Sequence, residues 1–406
     1  MAITVLSEPA DFASLHDDMW FVVESDNVAI EDFKYVYDVY VSGKLVARVK
    51  NNPAPSGEGS YGIFNSAPIV RNYVNNYFEP SGNSVLQCTS DQIKVVYQVA
   101  FGEEASGIIT NPVSGALTYS GYNFYPPLFF DGILLLGNGG DLILSDQYDN
   151  LLISNYANDW LTERNIQSVD LIFGKRMYIS FLSTTYTQAA VEVQKISETG
   201  DIGSAASGAL LSIDEFSLWD LSAARINEYL GSTFITEDDY GYKVRLVFSD
   251  IESNWVTIKH VCYDRTNPVN VHFLNRLGGW DSFGFNLINK RSTQFERRSF
   301  QRAAYQLSGS DMTNTDQYNR FNEGKINFST QHVDRYKLIS DYISENDYHW
   351  LAQLVASPLV YLEVGGAYFP ITVIDNNYEY KLEKSDMLFN LELNIEVGKY
   401  NNSQYR

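Results

Sequence analysis

The sequence predicts a mainly β protein with a few helices (β+α), folded as two or three antiparallel domains of β-sandwich or barrel-like form. Three observations lead to this prediction. Apolar residues recur at every second position in many runs, which is the period of a half-buried strand. Short turns rich in Gly join these runs. Two segments alone show helical spacing, and 406 residues with 45% hydrophobic content can build more than one core.

The N-terminal segment, residues 1–105, predicts a β domain. Apolar and aromatic side chains alternate with other residues over 33–41, where a strand is expected. The turn Ser42-Gly43-Lys44 follows, and residues 45–50 return as a second strand. A loop without packing residues is expected at 51–60, and a further alternating strand at 93–101.

Residues 106–235 predict a mixed middle domain. Its first part, 106–121, is rich in Gly, Ser, Thr and Asn and predicts a loop at the domain boundary, and strands are expected at 169–173 and 177–182. Ser212 and Glu215 fit a capping box and predict a helix near 213–230. The residues expected on its apolar face and at its end are Phe216, Trp219, Ala223, Ile226, Leu230 and Gly231.

Residues 236–406 predict a β-rich C-terminal domain. Its first strands are expected at 242–248, 255–263, 271–275 and 282–288. A helix near 345–356 is predicted to begin at the cap formed by Ser344 and Asp347, to bury Tyr348, Leu351, Leu354 and Val355, and to end before Pro358. It leads into a meander of four strands at 359–364, 367–374, 378–383 and 387–397, with Gly365-Gly366 as the first turn.

The chain is strongly acidic. Fifty Asp and Glu against 29 Lys and Arg give a net charge of −21, and a field of that sign repels phosphates and anionic membranes. The two cysteines, Cys88 and Cys262, are too few for a disulfide scaffold, and two buried thiols are favoured over one disulfide. The N-terminal residues lack the features of a signal peptide, and the most apolar stretch, 128–136, is interrupted by Asp131. We therefore expect a soluble protein made in the cytoplasm, with no membrane partner.

No catalytic motif stands out in the sequence. It contains no Gly-x-Ser-x-Gly, His-Glu-x-x-His, phosphate-binding glycine loop or Cys-x-x-Cys. His260 and His272 fall on predicted strands, where a hydrogen-bonded structural histidine is favoured over a metal ligand. The acidic runs at 237–239 and 146–150 do not match the spacing of a calcium loop, and solvated turns are the favoured interpretation. We expect no enzymatic activity, no metal site and no cofactor.

One window of the chain carries the opposite charge. Between residues 265 and 302, seven Lys and Arg stand against two acids, which gives +5, whereas residues 1–160 hold 6 basic and 19 acidic residues. Three interpretations are open: docking onto an acidic surface of a neighbouring copy or domain, a solvated hairpin, or nucleic-acid contact with Phe295 and Phe300 stacking on bases. The first two are favoured equally. Docking gives these candidate interface residues: Arg276, Lys290, Arg291, Arg297, Arg298 and Arg302.

Three segments carry a resemblance to a known family. The run FLNRLGGWDSFGF, residues 273–285, joins two predicted strands through Gly-Gly. The closing region runs from His349 through SPLVYLEVGGAYFPITVIDNNYEYKLEKSDMLFNLELNIEV, and the N-terminal hairpin YVYDVYVSGKLVARVK is followed by YGIFNSAPIVRNYV. These segments resemble virion tail proteins of phages that infect Bacteroidetes, including crAss-like phages, most strongly over residues 240–400.

This resemblance implies a structural role in a tail hub, a distal tail or a collar ring, with no catalytic residues to carry over. It implies a homo-oligomeric ring in the virion tail that contacts other tail or portal-proximal proteins. DNA would pass through the ring without specific binding. The net charge of −21 adds the hypothesis that acidic residues line the lumen and do not hold the passing DNA. Within the run at 273–285, Gly278 and Gly279 permit a tight turn whose backbone Asn275 and Asp281 can bond.

Two other functions have distinct signatures. A receptor- or carbohydrate-binding module of a tail tip would stack sugars on exposed aromatic side chains such as Trp255 and Trp280. A glycan-cleaving enzyme would need two carboxylates about 5 to 9 Å apart in an aromatic cleft.

Overall fold

The computed structural model describes most of the chain. The described residues are 3–9, 13–55, 60–74, 78, 80, 84–88, 93–110, 117–124, 156–261, 268–287, 289–301, 305–308, 314–318, 325–375, 389–398 and 401–405. Several sequence predictions lie outside them: Arg265, Arg302, Cys262, the side chain of Cys88, the runs 128–136 and 146–150, and the strand at 378–383. The described chain is mainly β, with several antiparallel sheets and short helices, which confirms the predicted fold class.

The chain forms two compact units. The first unit comprises Met1–Cys262, His272–Phe283 and Ala356–Pro358, and the second comprises Tyr263–Val271, Gly284–Val355 and Leu359–Arg406. The three domains expected at 1–105, 106–235 and 236–406 stay a prediction.

The N-terminal part of the first unit is a sandwich of two sheets. Its elements are β1 (Thr4–Ser7), β2 (Ala13–Ser14), β3 (Trp20–Glu24), β4 (Lys34–Val41), β5 (Lys44–Asn51), β6 (Ala54–Pro55), β7 (Ser60–Asn65), α1 (Ala67–Val70), β8 (Leu86–Cys88), β9 (Lys94–Ala105), β10 (Ile108–Thr110) and β11 (Leu117–Tyr122). Of these strands, β8 belongs to neither sheet of the sandwich. One sheet has the order β1-β3-β7-β6, and the other has the order β2-β11-β9-β4-β5 with β10 beside β9. The rings of Phe21 and Tyr119 lie 4.9 Å apart, and Tyr37 stacks on Phe64 at 4.7 Å, so aromatic side chains fill the space between the sheets.

The predicted N-terminal hairpin is confirmed, because β4 pairs with β5 in antiparallel register. The loop predicted at 106–121 is wrong in part. Both β10 and β11 pair with β9, the latter from Leu117 opposite Val99 to Tyr122 opposite Lys94. Thr and Tyr in this run favour a strand, and their pairing with β9 outweighs the turn-forming composition around them.

The rest of the first unit surrounds a second core. Its elements are β12 (Asp159–Trp160), β13 (Val169–Leu171), β14 (Tyr178–Leu182), β15 (Gln188–Ile196), β16 (Ile202–Ser207), β17 (Leu211–Ser212), β18 (Phe216–Asp220), α2 (Ala223–Leu230), β19 (Gly241–Val247), β20 (Val256–His260), β21 (Val269–Leu274) and β22 (Trp280–Phe285). Residues 269–271 of β21 and 284–285 of β22 belong to the second unit. One sheet has the order β13-β20-β19-β15-β16 with β17 beside β15, and β8, β18, β14 and β22 are neighbours in another. Side chains of both sheets form one buried cluster, which includes Trp160, Phe181, Trp219, Tyr242 and Ile258.

The helix predicted near 213–230 is wrong in its first half. Residues 216–220 form β18, which pairs with β14 and β8, so Ser212 and Glu215 do not cap a helix. All five residues of β18 are buried, because the strand lies inside a sheet. The helical part is α2, which ends at Gly231 with a φ of 65° as the sequence predicted.

The second unit is built on one antiparallel sheet. Its elements are β23 (Lys290–Gln301), β24 (Tyr305–Ser308), β25 (Asn314–Tyr318), β26 (Lys325–Ile339), α3 (Glu345–Ala356), β27 (Val360–Val364), β28 (Ala367–Val373), β29 (Glu392–Val397) and β30 (Asn401–Tyr405). The order is β23-β26-β29-β28-β27, with β30 also beside β26, and β24 pairs with β25.

The predicted C-terminal helix and first hairpin are confirmed. In α3, Tyr348, Leu351 and Leu354 are buried as predicted, whereas Val355 is half-buried. The turn Gly365-Gly366 has φ of 60° and 81°, the positive values that a two-residue hairpin requires. The strand order differs from the predicted meander, because β28 pairs directly with β29. The predicted strand between them, 378–383, lies outside the described residues.

Candidate functional site

Four of the six candidate interface residues lie on one strand. Lys290, Arg291, Arg297 and Arg298 are part of β23, and Glu296 is the one acidic residue there. All twelve side chains of β23 are exposed. A twelve-residue strand is about 40 Å long, so β23 presents an extended basic strip at the edge of its sheet.

The neighbouring strand β26 holds β23 along its full length. The register runs from Lys290 opposite Lys337 to Gln301 opposite Lys325, with an irregularity between Arg298 and Ser299. On its other side, β26 pairs with β29 near one end and with β30 further along. The strip is therefore part of an ordered ladder, in which the solvent-exposed side chains of β23 keep a defined alternation.

Arg291 is tied to the ladder, whereas other cations of the strip are not. Its guanidinium donates to Asp334 Oδ2 at 2.7 Å, and the Thr293 hydroxyl donates to Asp334 Oδ1 at 2.7 Å. The hydrogen bonds from Thr293 and Arg291 hold the pKa of Asp334 below its ordinary value. In the part of the chain that the structure describes, no ion pair engages Lys290, Arg297 or Arg298.

Aromatic rings interrupt the basic strip. Phe295 is 50% exposed and Phe300 48% exposed, and Phe328 on β26 is 45% exposed. The Arg297 guanidinium lies 5.5 Å from the centroid of the Phe295 ring, within range of a cation–π contact. Exposed Phe and Arg are the side chains enriched at protein interfaces, and they coincide here on one strand.

The two remaining candidates, Arg276 and Arg302, are not part of β23. Arg276 belongs to the first unit, and its guanidinium forms an ion pair with Glu163. The two residues are distant in sequence, so the ion pair could not be predicted by counting charges along the chain. Arg302 lies outside the described residues.

Arg276 sits in a tightly bonded turn within FLNRLGGWDSFGF. The Asn275 side-chain oxygen accepts hydrogen bonds from the backbone N–H groups of Leu277 at 3.0 Å and Gly279 at 2.9 Å. Its amide donates to the Leu161 carbonyl at 2.8 Å and to Asp281 Oδ2 at 3.1 Å. The predicted role of Asn275 in bonding the turn backbone is confirmed. Because this side chain is used to hold the turn, the segment has a structural role.

A negatively charged segment joins β3 to β4. Residues 24–32, ESDNVAIED, contain four acids and no base, and Glu24, Asp26, Glu31 and Asp32 are all exposed. The strand β1 lies beside it at the end of its sheet, with Thr4 opposite Glu24. This segment was not among the candidates predicted from the sequence, although four acids within nine consecutive residues are a visible signal.

A cleft of about 790 Å³ lies on the first unit. Its lining includes Tyr40, Tyr73, Lys94, Gln98, Asp214 and Glu215. The Lys94 ammonium lies 2.6 Å from Glu215 Oε2, and the Tyr122 hydroxyl donates to Glu215 Oε1 at 3.1 Å. The lining combines tyrosine rings with polar and charged side chains, and sequence reasoning missed it because the residues come from separate strands and loops.

The two tryptophans named for sugar stacking are not open platforms. Trp280 is 1% exposed. Trp255 is half-buried, and the guanidinium of Arg245 lies 4.4 Å from the centroid of its ring. These tryptophans therefore do not supply the exposed surface that the carbohydrate hypothesis assigned to them.

The residues considered for metal or acid–base chemistry have structural partners. His272 Nδ1 lies 2.8 Å from the Ser282 hydroxyl, and His260 Nδ1 lies 2.7 Å from the Asp239 carbonyl oxygen. Burial alone would raise the pKa of Asp239, but hydrogen bonds from Lys195 and Thr236 outweigh it and lower the value. Over the described ranges, no group of three or more His, Cys, Asp or Glu is placed to hold a metal ion.

Comparison with known proteins does not assign the chain to a family. No protein-family model matches it, and no curated protein matches it. Among the described residues, no helix is both long and apolar enough to cross a membrane.

Proposed function

We propose that this chain is a structural component of a bacteriophage virion tail, of the hub, ring or distal-tail type. It assembles as a ring and docks other tail proteins around the path of the DNA. The observation that carries this proposal is the basic strand β23, whose twelve side chains are all exposed in a chain of net charge −21.

Charge separation supports assembly through unlike surfaces. The strip carries four basic residues against Glu296, whereas residues 24–32 carry four acids against none. Contact between the strip of one copy and an acidic segment of the next is heterologous, and such contacts close into rings when the rotation between copies allows it. Complementary fields also steer the copies together.

The resemblance of residues 273–285 and of the closing region to phage tail proteins supports the tail assignment. Localisation in the virion tail, synthesis in the host cytoplasm and passage of DNA along an acidic lumen follow from the same proposal. A chain of this charge repels the phosphates of DNA, which suits a passage that must not retain it. The absence of enzymatic activity stays a prediction.

Assembly of the purified chain tests the proposal. Multi-angle light scattering and negative-stain electron microscopy are expected to show a ring of several copies for the wild-type chain. The double variant Arg297→Glu/Arg298→Glu is expected to weaken this assembly by at least tenfold in dissociation constant, since two unpaired cations become anions on an acidic molecule.

The matched control is Lys44→Glu/Arg71→Glu, which changes the net charge equally at two exposed residues of the first unit. It is expected to keep the ring. A wild-type chain that stays monomeric at its highest soluble concentration contradicts the proposal. Equal loss of assembly in both double variants would show a general charge effect instead of a contact at β23.

A receptor- or carbohydrate-binding module of a tail tip is the second candidate, and the cleft near Tyr40 and Tyr73 favours it. Titration calorimetry with surface glycans of the host tests it. Tyr40→Ala and Tyr73→Ala are expected to abolish the heat of binding, whereas Tyr342→Ala, which removes a tyrosine 62% exposed in the other unit, is expected to leave it unchanged. Equal binding by all three variants would exclude the cleft.

A further inference from the structure

The main-chain edge of β23 is a second feature of the strip, separate from its charge. β26 pairs with one edge of β23, and no strand among those described pairs with the other. About half of the backbone N–H and C=O groups of an edge strand point outward and can pair with another strand. Over twelve residues, this edge is long enough to accept a complete additional strand.

Charged residues on an edge strand often serve to prevent pairing. The exposed Phe295 and Phe300 argue against a purely protective role here, because a protected edge avoids large apolar side chains. The strip combines cations, which repel a second β23, with exposed aromatic rings, whose burial against a partner is favourable. The strand that pairs with this edge is therefore expected to have carboxylates near it and to carry apolar side chains.

The strand β1 in the first unit has those properties. It lies at the end of the sheet β1-β3-β7-β6, where β3 is its partner among the described strands. Leu6 is 48% exposed. Glu8 follows β1 directly and accepts a hydrogen bond from the Tyr119 hydroxyl at 2.9 Å, and the exposed Glu24 lies opposite Thr4 on β3, so one carboxylate lies beyond the end of β1 and another across its paired side.

We infer that β23 of one copy pairs with the free edge of β1 in a second copy. This inference rests on the proposed ring and specifies the contact that joins its copies. In this pairing Arg297 and Arg298, whose side chains point to opposite faces of β23, both come near the acidic surroundings of β1, and Leu6 covers aromatic surface on β23. Pairing between two β23 strands would instead bring eight basic residues into one ribbon against two acids.

Disulfide trapping between full-length copies tests the pairing. One chain carries Leu6→Cys, and a second, tagged chain carries a single cysteine in turn at Thr293, Gln294, Phe295, Glu296 and Arg297, with both native cysteines replaced by serine. Paired strands place opposite Cα atoms about 4.5–5.5 Å apart, within the range of a disulfide. Successive side chains of a strand alternate between faces, so the yield of the mixed disulfide is expected to rise and fall with a period of two.

The matched control replaces Leu6→Cys with Leu210→Cys, which introduces a thiol at a residue 63% exposed outside the strands. Its yields are expected to be several-fold lower and without alternation. As a second measurement, backbone hydrogen exchange over β1 and β23 is expected to slow on assembly in the wild-type chain and to stay fast in Arg297→Glu/Arg298→Glu.

The outcomes separate the inference from the proposed function. Rings on the microscope grid with no alternating cross-links and unchanged exchange at β1 overturn the pairing and leave the ring in place. Efficient cross-links between two β23 strands overturn it in favour of a two-fold contact. A chain that forms no assembly overturns both.

Discussion

At the scale of single residues, buried hydrogen bonds indicate that the run FLNRLGGWDSFGF contributes to stability. Asn275 uses both its oxygen and its amide inside the protein, and Asp281 accepts from the Thr162 hydroxyl at 2.9 Å while being 1% exposed. Buried polar groups with all partners present stabilise one conformation, and loss of one partner leaves the others unsatisfied. The run is therefore expected to matter for stability.

Asn275→Ala is expected to lower the free energy of unfolding by about 3 kcal/mol, since it leaves two backbone N–H groups and a carbonyl without their partner. Urea unfolding followed by circular dichroism measures this. Asn165→Ala is the matched control, because Asn165 accepts the same kind of turn bond from Gln167 N–H at 3.1 Å on the exposed surface. Equal losses in the two variants would refute the special role of Asn275.

Gly278 is restricted by space as well as by conformation. Its φ is 82°, and a Cβ added there would lie 2.1 Å from the backbone oxygen of Asn123. Gly43 has a φ of 73° with nothing within 4 Å of the added Cβ, so Gly43→Ala measures the conformational cost alone, about 1 kcal/mol. Gly278→Ala is expected to cost several times more in thermal unfolding, and a cost equal to that of Gly43→Ala would contradict the crowding.

His16 gives the protein a pH dependence near neutrality. Burial lowers its pKa below the ordinary 6.5, Asn123 opposes this through a hydrogen bond, and Arg71 adds to it. The unfolded chain therefore binds the proton first, so stability falls as pH drops through about 6.5 and levels off below the folded pKa. Unfolding midpoints between about pH 7.5 and about pH 5.5 test this. His16→Gln is expected to flatten the profile, and an unchanged profile would assign the effect to other groups.

At the scale of elements, the strand hairpins follow from local pattern, whereas the first half of one predicted helix does not. Phe216, Trp219 and Ala223 have helical spacing. The first two nevertheless belong to the strand β18, because β14 and β8 pair with it on both sides. The spacing of apolar residues within one segment does not show which distant segments will pair with it. The basic strip could be located by counting charges, but its position at a free sheet edge depends on strand order, which the sequence does not display.

The helix caps provide a test at this scale. The Ser344 hydroxyl accepts from the Asp347 N–H at 3.1 Å and donates to Asp347 Oδ2 at 2.8 Å. Ser222 precedes α2 without a side-chain cap bond. Ser344→Ala is expected to cost about 1 kcal/mol in urea unfolding, and Ser222→Ala close to nothing. A larger loss for Ser222→Ala than for Ser344→Ala would contradict the assigned caps.

At the scale of the whole molecule, the net charge of −21 has two consequences. It opposes close approach of identical copies in general, and in the proposed ring it attracts the basic strand β23 of each copy to acidic segments of another. In the proposed ring, charge therefore selects the orientation of contact, and the exposed Phe295 and Leu6 supply apolar area once the copies have met.

This division of roles predicts how assembly responds to salt. Raising the ionic strength from about 0.1 M to about 1 M shortens the screening length from about 10 Å to about 3 Å. Charge-selected contacts are then expected to form more slowly and to dissociate at higher protein concentration, as measured by light scattering across a dilution series. The urea midpoint of the same samples serves as control for unfolding. An assembly that strengthens with salt would show that the general repulsion between acidic copies outweighs the attraction at β23, and would contradict selection of the contact by charge.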